Sequence, residues 1–233
     1  MAVHVVALGG SLLRPEESQR HAWLAGIAAV IGDAIRSGEV LGLVIGGGAP
    51  AREAIGLAAA VVHDVALLDE IGIAATRLNA TMLRSTLVAA GIDVAVGIPH
   101  TVEDAASALQ RHDAVVMGGT MPGHTTDAVA IRLAIAAGAE RCIIATNVDH
   151  VYSDDPRLVA DAVAHARLSL EELAAIVGPA EHRAAGASSV IDPVGVGAAL
   201  EASMPLAVLD GRRLDGLAAA LASESYVGTI IDP

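Results

Sequence analysis

The stretch MGGTMPGHTTDAVA, Met117–Ala130, decides how the rest of the chain is interpreted. An apolar run, Asp113–Met117, stops at Gly118-Gly119. Thr120, Pro122-Gly123 and His124-Thr125-Thr126 follow, and an alanine-rich helical pattern begins at Asp127. A strand ending in glycines, followed by hydroxyl residues at a helix start, is an arrangement that holds a phosphate. Glycine lets the backbone come close, while the unpaired N–H groups and positive end of the helix face the anion. Asp127, in the first turn, can organise a cation or a partner side chain. Turn geometry alone also enriches such loops in glycine and threonine, so the weight of this one depends on the others.

The same unit recurs on either side. Val3–Leu8 is a short continuous apolar run, the pattern of a buried parallel strand; Gly9-Gly10-Ser11 closes it, and a helix is expected over His21–Ser37, ending at Gly38. Val40–Ile45 is the next strand and ends in Gly46-Gly47-Gly48; Pro50 suits the first turn of a helix running to about Val62. Leu67–Ala90 is expected to be a loop and then a helix with Arg77 and Asn79 near its start. Ile92–Gly97 reads as a third strand, Val102–Gln110 as a short helix and Asp113–Met117 as a fourth strand.

After the central loop come a helix, Asp127–Gly138, a strand, Arg141–Thr146, and a polar hairpin or lid, Asn147–Arg157. Ser169 with Glu172 three residues on makes a capping box for a helix to Val177. Pro193–Ala202, Leu206–Leu209, Arg212–Leu221 and Val227–Ile231 then alternate helix, strand, helix, strand. No repeat, linker or low-complexity tail interrupts residues 1–233. The pattern predicts one α/β domain, a three-layer αβα sandwich around a mainly parallel sheet. In such sheets ligands bind beyond the carboxyl ends of the strands, where the glycine runs fall.

Composition narrows the function. The net charge of −13 argues against a nucleic-acid surface, which needs clustered cations. No apolar run reaches the roughly 18 residues of a membrane span, and MAVHVVALGG lacks the basic start and cleavage pattern of a signal peptide. A cytosolic protein is expected, and Cys142 alone permits no internal disulfide. All fourteen cations are arginines, which matters only where chemistry would want a lysine. No Walker A sequence, strand-following G-x-G-x-x-G or G-x-S-x-G elbow is present, and the histidines show no metal-ligand spacing.

Taken together, LGGS (8–11), GGG…AR (46–52), DEIGI…TRLNA (69–80), MGGTMPGHTTDAVA (117–130), ATNVDHVYSDDP (145–156), AGASSVIDP (185–193) and VGTII (227–231) resemble the amino acid kinase superfamily, and within it the archaeal-type uridylate kinases. The segments stand in family order over nearly the whole chain. The resemblance implies ATP and Mg²⁺ as cofactors, UMP as acceptor and a homohexamer. It assigns the acceptor to the N-terminal part of the domain and the nucleotide to the part from about residue 140. Gly9, Gly10, Ser11, Gly48 and Arg52 then match positions that cradle ATP phosphates, and Thr146, Asn147, Tyr152 and Asp155 match the nucleoside side. Gly47, Asp69 and the loop Thr120–Thr126, with Gly123, His124 and Thr125, match the UMP site. Arg77 is a fork suited to the acceptor phosphate, with Asn79 beside it.

Two departures stand out. Relatives carry a lysine at the position of Gly197, and many carry another at Ala49. In phosphoryl transfer the protein mostly positions groups and neutralises charge, and in the superfamily an aspartate at the position of Asp127 orients such lysines. Here Asp127 remains and the lysines do not. Arg52, Arg14 or Arg183 could supply the charge, with Arg52 and Asp127 as the catalytic pair. The sequence therefore supports a UMP kinase-like phosphotransferase. It leaves open a non-catalytic nucleotide- or oxyanion-binding protein on the same fold, or a kinase for another small acceptor. A homo-oligomer is also expected from alanine-rich helices such as Ile27–Ala34 and Ile55–Val62.

Overall fold

A computed structural model describes residues 2–13, 20–156, 158–179 and 191–233. The chain runs β1 (Val3–Leu8), α1 (Arg20–Arg36), β2 (Val40–Ile45), α2 (Gly48–Ala58), α3 (Val65–Ala89), α4 (Val102–Leu109), β3 (Ala114–Met117), α5 (Thr126–Ala137) and β4 (Arg141–Thr146). It continues with β5 (Val151–Tyr152), β6 (Ala164–His165), β7 (Arg167–Ser169), α6 (Leu170–Val177), α7 (Pro193–Ala202), β8 (Leu206–Asp210), α8 (Leu214–Leu221) and β9 (Thr229–Asp232).

Seven strands form one sheet in the order β3-β2-β1-β4-β8-β9-β7. The first five are parallel, β9 runs antiparallel to β8, and β7 pairs parallel with β9. Side chains of successive strand residues point to opposite faces, and both faces are apolar. Val5, Ala7, Val44, Val115, Met117, Ile144 and Val208 face α4, α5, α6 and α7. Val6, Leu8, Leu43, Val116, Ile143 and Leu209 face α1, α3 and α8. The three-layer α/β sandwich expected from the sequence is thus present, and no helix among the described residues is long and apolar enough to cross a membrane.

The exceptions have physical causes. The helix containing Arg77 and Asn79 starts at Val65, with no preceding loop, because Asp64 caps it by accepting from Ala66 N at 2.8 Å. Arg77 and Asn79 are therefore mid-helix. The strand expected at Ile92–Gly97 shrinks to a bridge between Val94 and Ala114. The carbonyl of Ala95 is taken by Arg84 Nε at 2.7 Å, and those of Ile98 and Pro99 by Arg77. α2 stops at Ala58, short of Val62, and α8 begins two residues after Arg212. The hairpin opened by Asn147 closes only at Ala164–His165. The capping box at Ser169 forms as its sequence requires, and α7 holds despite two glycines. Gly195 lets α7 sit against α5, since a Cβ there would be 3.1 Å from Ala128 Cα.

Candidate active site

The carboxyl ends of β1, β2 and β3 put three glycine loops side by side. Gly9 N donates to Ala145 O and Gly46 N to Leu8 O, both at 2.9 Å, so the sheet ladder continues past the strand ends. A Cβ on Gly10 would stand 2.5 Å from the carbonyl oxygen of Gly46. One on Gly48, where φ is +61°, would stand 2.6 Å from the carbonyl carbon of Gly10. The first two loops therefore touch backbone to backbone, which only glycine permits. α2 starts at Gly48 with no side chain capping it, and its first N–H groups are donors of the kind that hold an anion. The third loop joins through Thr126, whose hydroxyl would lie 3.4 Å from a Cβ on Gly46. Ser11 is exposed beside this cluster, and Arg52 is exposed on the second turn of α2.

α3 underlies the second and third loops. Asn79 is fully buried and donates both amide hydrogens, to Gly46 O at 2.8 Å and Gly47 O at 3.0 Å. Thr76 donates to Ile73 O at 2.6 Å and accepts from Gly119 N at 2.7 Å. Asp69 accepts from Gly123 N at 2.8 Å, the glycine having φ +82°. Two expectations change here. Arg77 spends its guanidinium on the carbonyls of Pro99 and Ile98 and on the His100 ring, at 2.8, 2.7 and 2.9 Å, so it steadies the 98–100 segment. Asn79 has no surface to offer a substrate and holds the loop from behind.

The starts of α5 and α7 meet next to the third loop. Thr125 caps α5 by accepting from Ala128 N at 3.3 Å and donates to Asp192 Oδ2 at 2.6 Å. Asp192 in turn caps α7 by accepting from Val194 N at 3.1 Å. The Thr125 hydroxyl is therefore already committed. Burial, and then the charge of Asp192, push the Asp127 carboxyl up to about 7. Among the described residues no arginine forms an ion pair with Asp127. Arg14, Arg183 and the AGASSV segment lie outside the described residues. Thr120 and His124 border a cavity of about 590 Å³ together with His100, Arg132 and Glu201.

On the other side of β1, Thr146 and Asn147 leave the end of β4, and Thr146 O accepts from Gly211 N at 2.8 Å. Asn147, Asp149, Tyr152, Asp210 and Arg212 line a cavity of about 540 Å³. Tyr152 donates to Asp149 Oδ1 at 2.8 Å and stands edge-on to the His150 ring. That hydrogen bond is the main reason the Tyr152 hydroxyl is raised. Burial alone would raise Asp149, but the hydrogen bond from Tyr152 and the neighbouring His150 outweigh it and leave the carboxyl below its usual range. Asp155 carries a turn within the hairpin loop, its carbonyl accepting from Leu158 N and Val159 N at 2.9 Å.

Arg212 was not singled out in the sequence. It holds Asp210 with Nε at 2.8 Å and Nη2 at 2.6 Å, and reaches Asn147 O at 3.2 Å. The signal was available, since LDGRR (209–213) puts cations straight after a strand end. Thr76 and Asp192 lie inside motifs already recognised and were missed as well, because their work is done on backbone and on another cap.

Chemically, the site offers clustered glycine N–H groups suited to phosphates, a carboxylate on α3 beside hydroxyls on the third loop, and a cavity the size of a nucleoside site. Known proteins are similar throughout. The model of the amino acid kinase family matches residues 2–210. A uridylate kinase of Methanococcus maripaludis is 38% identical over 229 residues, covering 98% of this chain and 99% of its own. One from Haloquadratum walsbyi is 38% identical over 98% of this chain and 92% of its own. The crystal structure of uridylate kinase from Archaeoglobus fulgidus superposes with a TM-score of 0.84 at 36% identity, over 99% of this chain and 100% of that one. With its strand order, glycine loops and near full-length similarity in agreement, the chain belongs to the amino acid kinase family.

Proposed function

We propose that the chain is a nucleoside-monophosphate kinase that transfers the γ-phosphoryl group of ATP in line to UMP, giving ADP and UDP with no covalent enzyme intermediate. The observation that carries this reading is the direct contact of the Gly9–Gly10 and Gly46–Gly48 loops, set next to an acceptor loop fastened to Asp69. Two anionic substrates brought to one point need backbone donors close together, and the full-length similarity to uridylate kinases supports the same chemistry. ATP phosphates would rest on Gly9, Gly10, Ser11 and Gly48, with Arg52 adding charge and Asp127 at the transfer point. Its nucleoside would enter the cavity of Asn147 and Tyr152, near Thr146 and Asp155. UMP would lie on Gly47 and Thr120–Thr126, its ribose on the free face of Asp69. In this reading the N-terminal part of the domain, up to about residue 140, takes the acceptor and the rest takes the nucleoside.

A magnesium ion suits this donor set only as a companion of ATP. No group of three or more histidine, cysteine or acidic side chains that could hold a metal occurs among the described residues. Phosphate oxygens would then supply most of its ligands, where it would neutralise charge on the transferring group. The assembly we propose is a homohexamer in the cytoplasm. Leu57 is 80% exposed, Val61 79% and Val65 58%, all on or between α2 and α3, a surface suited to a second copy. Light scattering at micromolar concentration should give a mass well above one chain, and a monomeric mass would count against it.

One observation favours a second reading, a nucleotide- or oxyanion-binding protein without transfer activity. Asp127 sits in a buried, acid-rich corner with no paired arginine among the described residues, and the chain has no lysine to place there. A coupled assay of ADP formation across a panel of nucleoside monophosphates separates the two, and would also expose a different acceptor. Gly197→Lys sharpens the result, because Gly197 is half-buried on α7 within two turns of the Asp192 cap. Turnover should rise by about tenfold for each ~1.36 kcal/mol of transition-state charge restored. Nucleotide binding without transfer in both proteins would replace the kinase by the binding protein.

A further inference from the structure

We infer that α3 is a splint that sets the distance between the two phosphate-holding loops, with Thr76 and Asn79 as its positioning residues. The inference rests on the kinase reading of the same site.

Asp69, Gly72, Thr76 and Asn79 follow one another at three- and four-residue steps, so they form a single stripe along the helix. Asn79 and Thr76 each serve a different loop. Asn79 donates to two successive carbonyls of the β2–α2 loop, Gly46 and Gly47. In a trans peptide the carbonyl and the following N–H point opposite ways, so these bonds turn the N–H groups of Gly47 and Gly48 away from α3. Thr76 draws the Gly119 N–H of the β3–α5 loop toward α3. Gly118 lies flat on the same side chain, where a Cβ would be 2.6 Å from Thr76 Oγ1, and a Cβ on Gly47 would be 3.5 Å from Thr76 Cγ2. One side chain thus touches both loops.

The chemistry of Asn79 also points to positioning. Its Oδ1 is buried without a hydrogen-bond partner among the described residues. A buried acceptor left unpaired is unfavourable, so the residue is placed there for its two donors. Neither Thr76 nor Asn79 is exposed enough to bind a nucleotide, since both are buried. Their contribution to transfer runs through the loops they hold, and in an in-line reaction small errors of placement are expensive.

The test compares Thr76→Val, Thr76→Ser and Asn79→Ala with Leu87→Val, a change in the buried face of the same helix that touches neither loop. Thr76→Val should lower kcat by about ten- to a hundredfold while shifting each substrate KM by less than about threefold. Thr76→Ser, which keeps the hydroxyl, should restore it, and Leu87→Val should lower Tm with kcat unchanged. A Thr76→Val enzyme with normal kcat, or a loss matched by Leu87→Val at equal Tm, overturns the splint. Hydrogen exchange gives a readout without turnover. A non-hydrolysable ATP analogue should slow exchange of the Gly118–Gly123 amides in the wild type, and no longer do so in Thr76→Val or Asn79→Ala. If the wild type makes no UDP, the kinase reading fails in that assay alone. The splint then stands if this linked protection is seen and falls if it is absent.

Discussion

Along α3, Thr76 and Asn79 fasten the loops from below with three buried hydrogen bonds between neutral groups, and Asp69 adds a fourth to Gly123. Across the sheet, Arg212 grips Asp210 and the carbonyl of Asn147 at the exposed rim of the other cavity, and Tyr152 leans on Asp149. Buried neutral bonds are indifferent to salt and expensive to break. Exposed ion pairs contribute little and are screened within about 10 Å at moderate ionic strength. One side is therefore suited to holding atoms in place, and the other to giving way at low cost.

The strongest way to break the fixed side is Gly10→Ala. The new methyl would meet backbone atoms of Gly46 and Gly48, which cannot move without displacing both loops. About 3 kcal/mol of overpacking corresponds to roughly a hundredfold loss of affinity for both nucleotides, measurable by calorimetry. Asp69→Asn is next, and it separates charge from bracing, because the amide oxygen can still accept from Gly123 N. UMP affinity should fall by roughly ten- to a hundredfold, from about 1.5–3 kcal/mol for a hydrogen bond to a charged group, with ATP affinity nearly unchanged. Equal loss for both ligands would move Asp69 out of the acceptor site.

Asp127→Asn tests the corner between the two sides. The folded carboxyl titrates near 7, against 3.8 ordinarily. Between about pH 4 and pH 7 the folded form keeps a proton that the unfolded form releases, so stability contributed here falls as pH rises and the full cost is present above pH 7. The asparagine variant should therefore gain on the wild type by on the order of 2 kcal/mol at pH 8 and almost nothing at pH 4. Thermal unfolding at the two pH values measures it, and a pH-independent difference would remove the raised carboxyl from the account. The smallest effect belongs to the adjustable side. Arg212→Ala should raise the KM for ATP by only about two- to fivefold at low salt, and the difference should vanish near 0.5 M salt. A large, salt-resistant loss would put Arg212 in direct contact with the nucleotide.

Much of this was legible in the chain. The apolar runs ending in Gly9-Gly10, Gly46–Gly48 and Gly118-Gly119 gave both the sheet and the edge where the site lies, because short runs buried on two faces have few other uses. The start of α3 was not legible. Asp69-Glu70 and Gly72 look like loop residues locally, yet Gly72 lies inside the helix where Ile55 of α2 packs against it, its methyl 3.2 Å from where a Cβ would stand. Arg77 and Asn79 were expected to face the acceptor, but their side chains turn to backbone carbonyls of neighbouring segments instead. Whether a side chain points at a ligand or at its neighbour's carbonyl depends on contacts between segments far apart in sequence. For the same reason Arg212 read only as the start of a helix, and its hold on Asp210 and Asn147 was not visible.

The strand order carries a consequence for how the molecule is made. β1 emerges from the ribosome before both of its neighbours but ends in the middle of the sheet, between β2 and β4. β2 follows soon and can pair at once, whereas the other edge of β1 stays bare until Arg141–Thr146 has been synthesised. Throughout that interval Val3–Leu8 presents an unpaired, apolar strand edge, the feature by which nascent chains stick to one another. Chains stalled before residue 141 are accordingly the form of this protein with most need of a chaperone, and the Gly9–Gly10 turn gains its Ala145 hydrogen bond only when that edge closes.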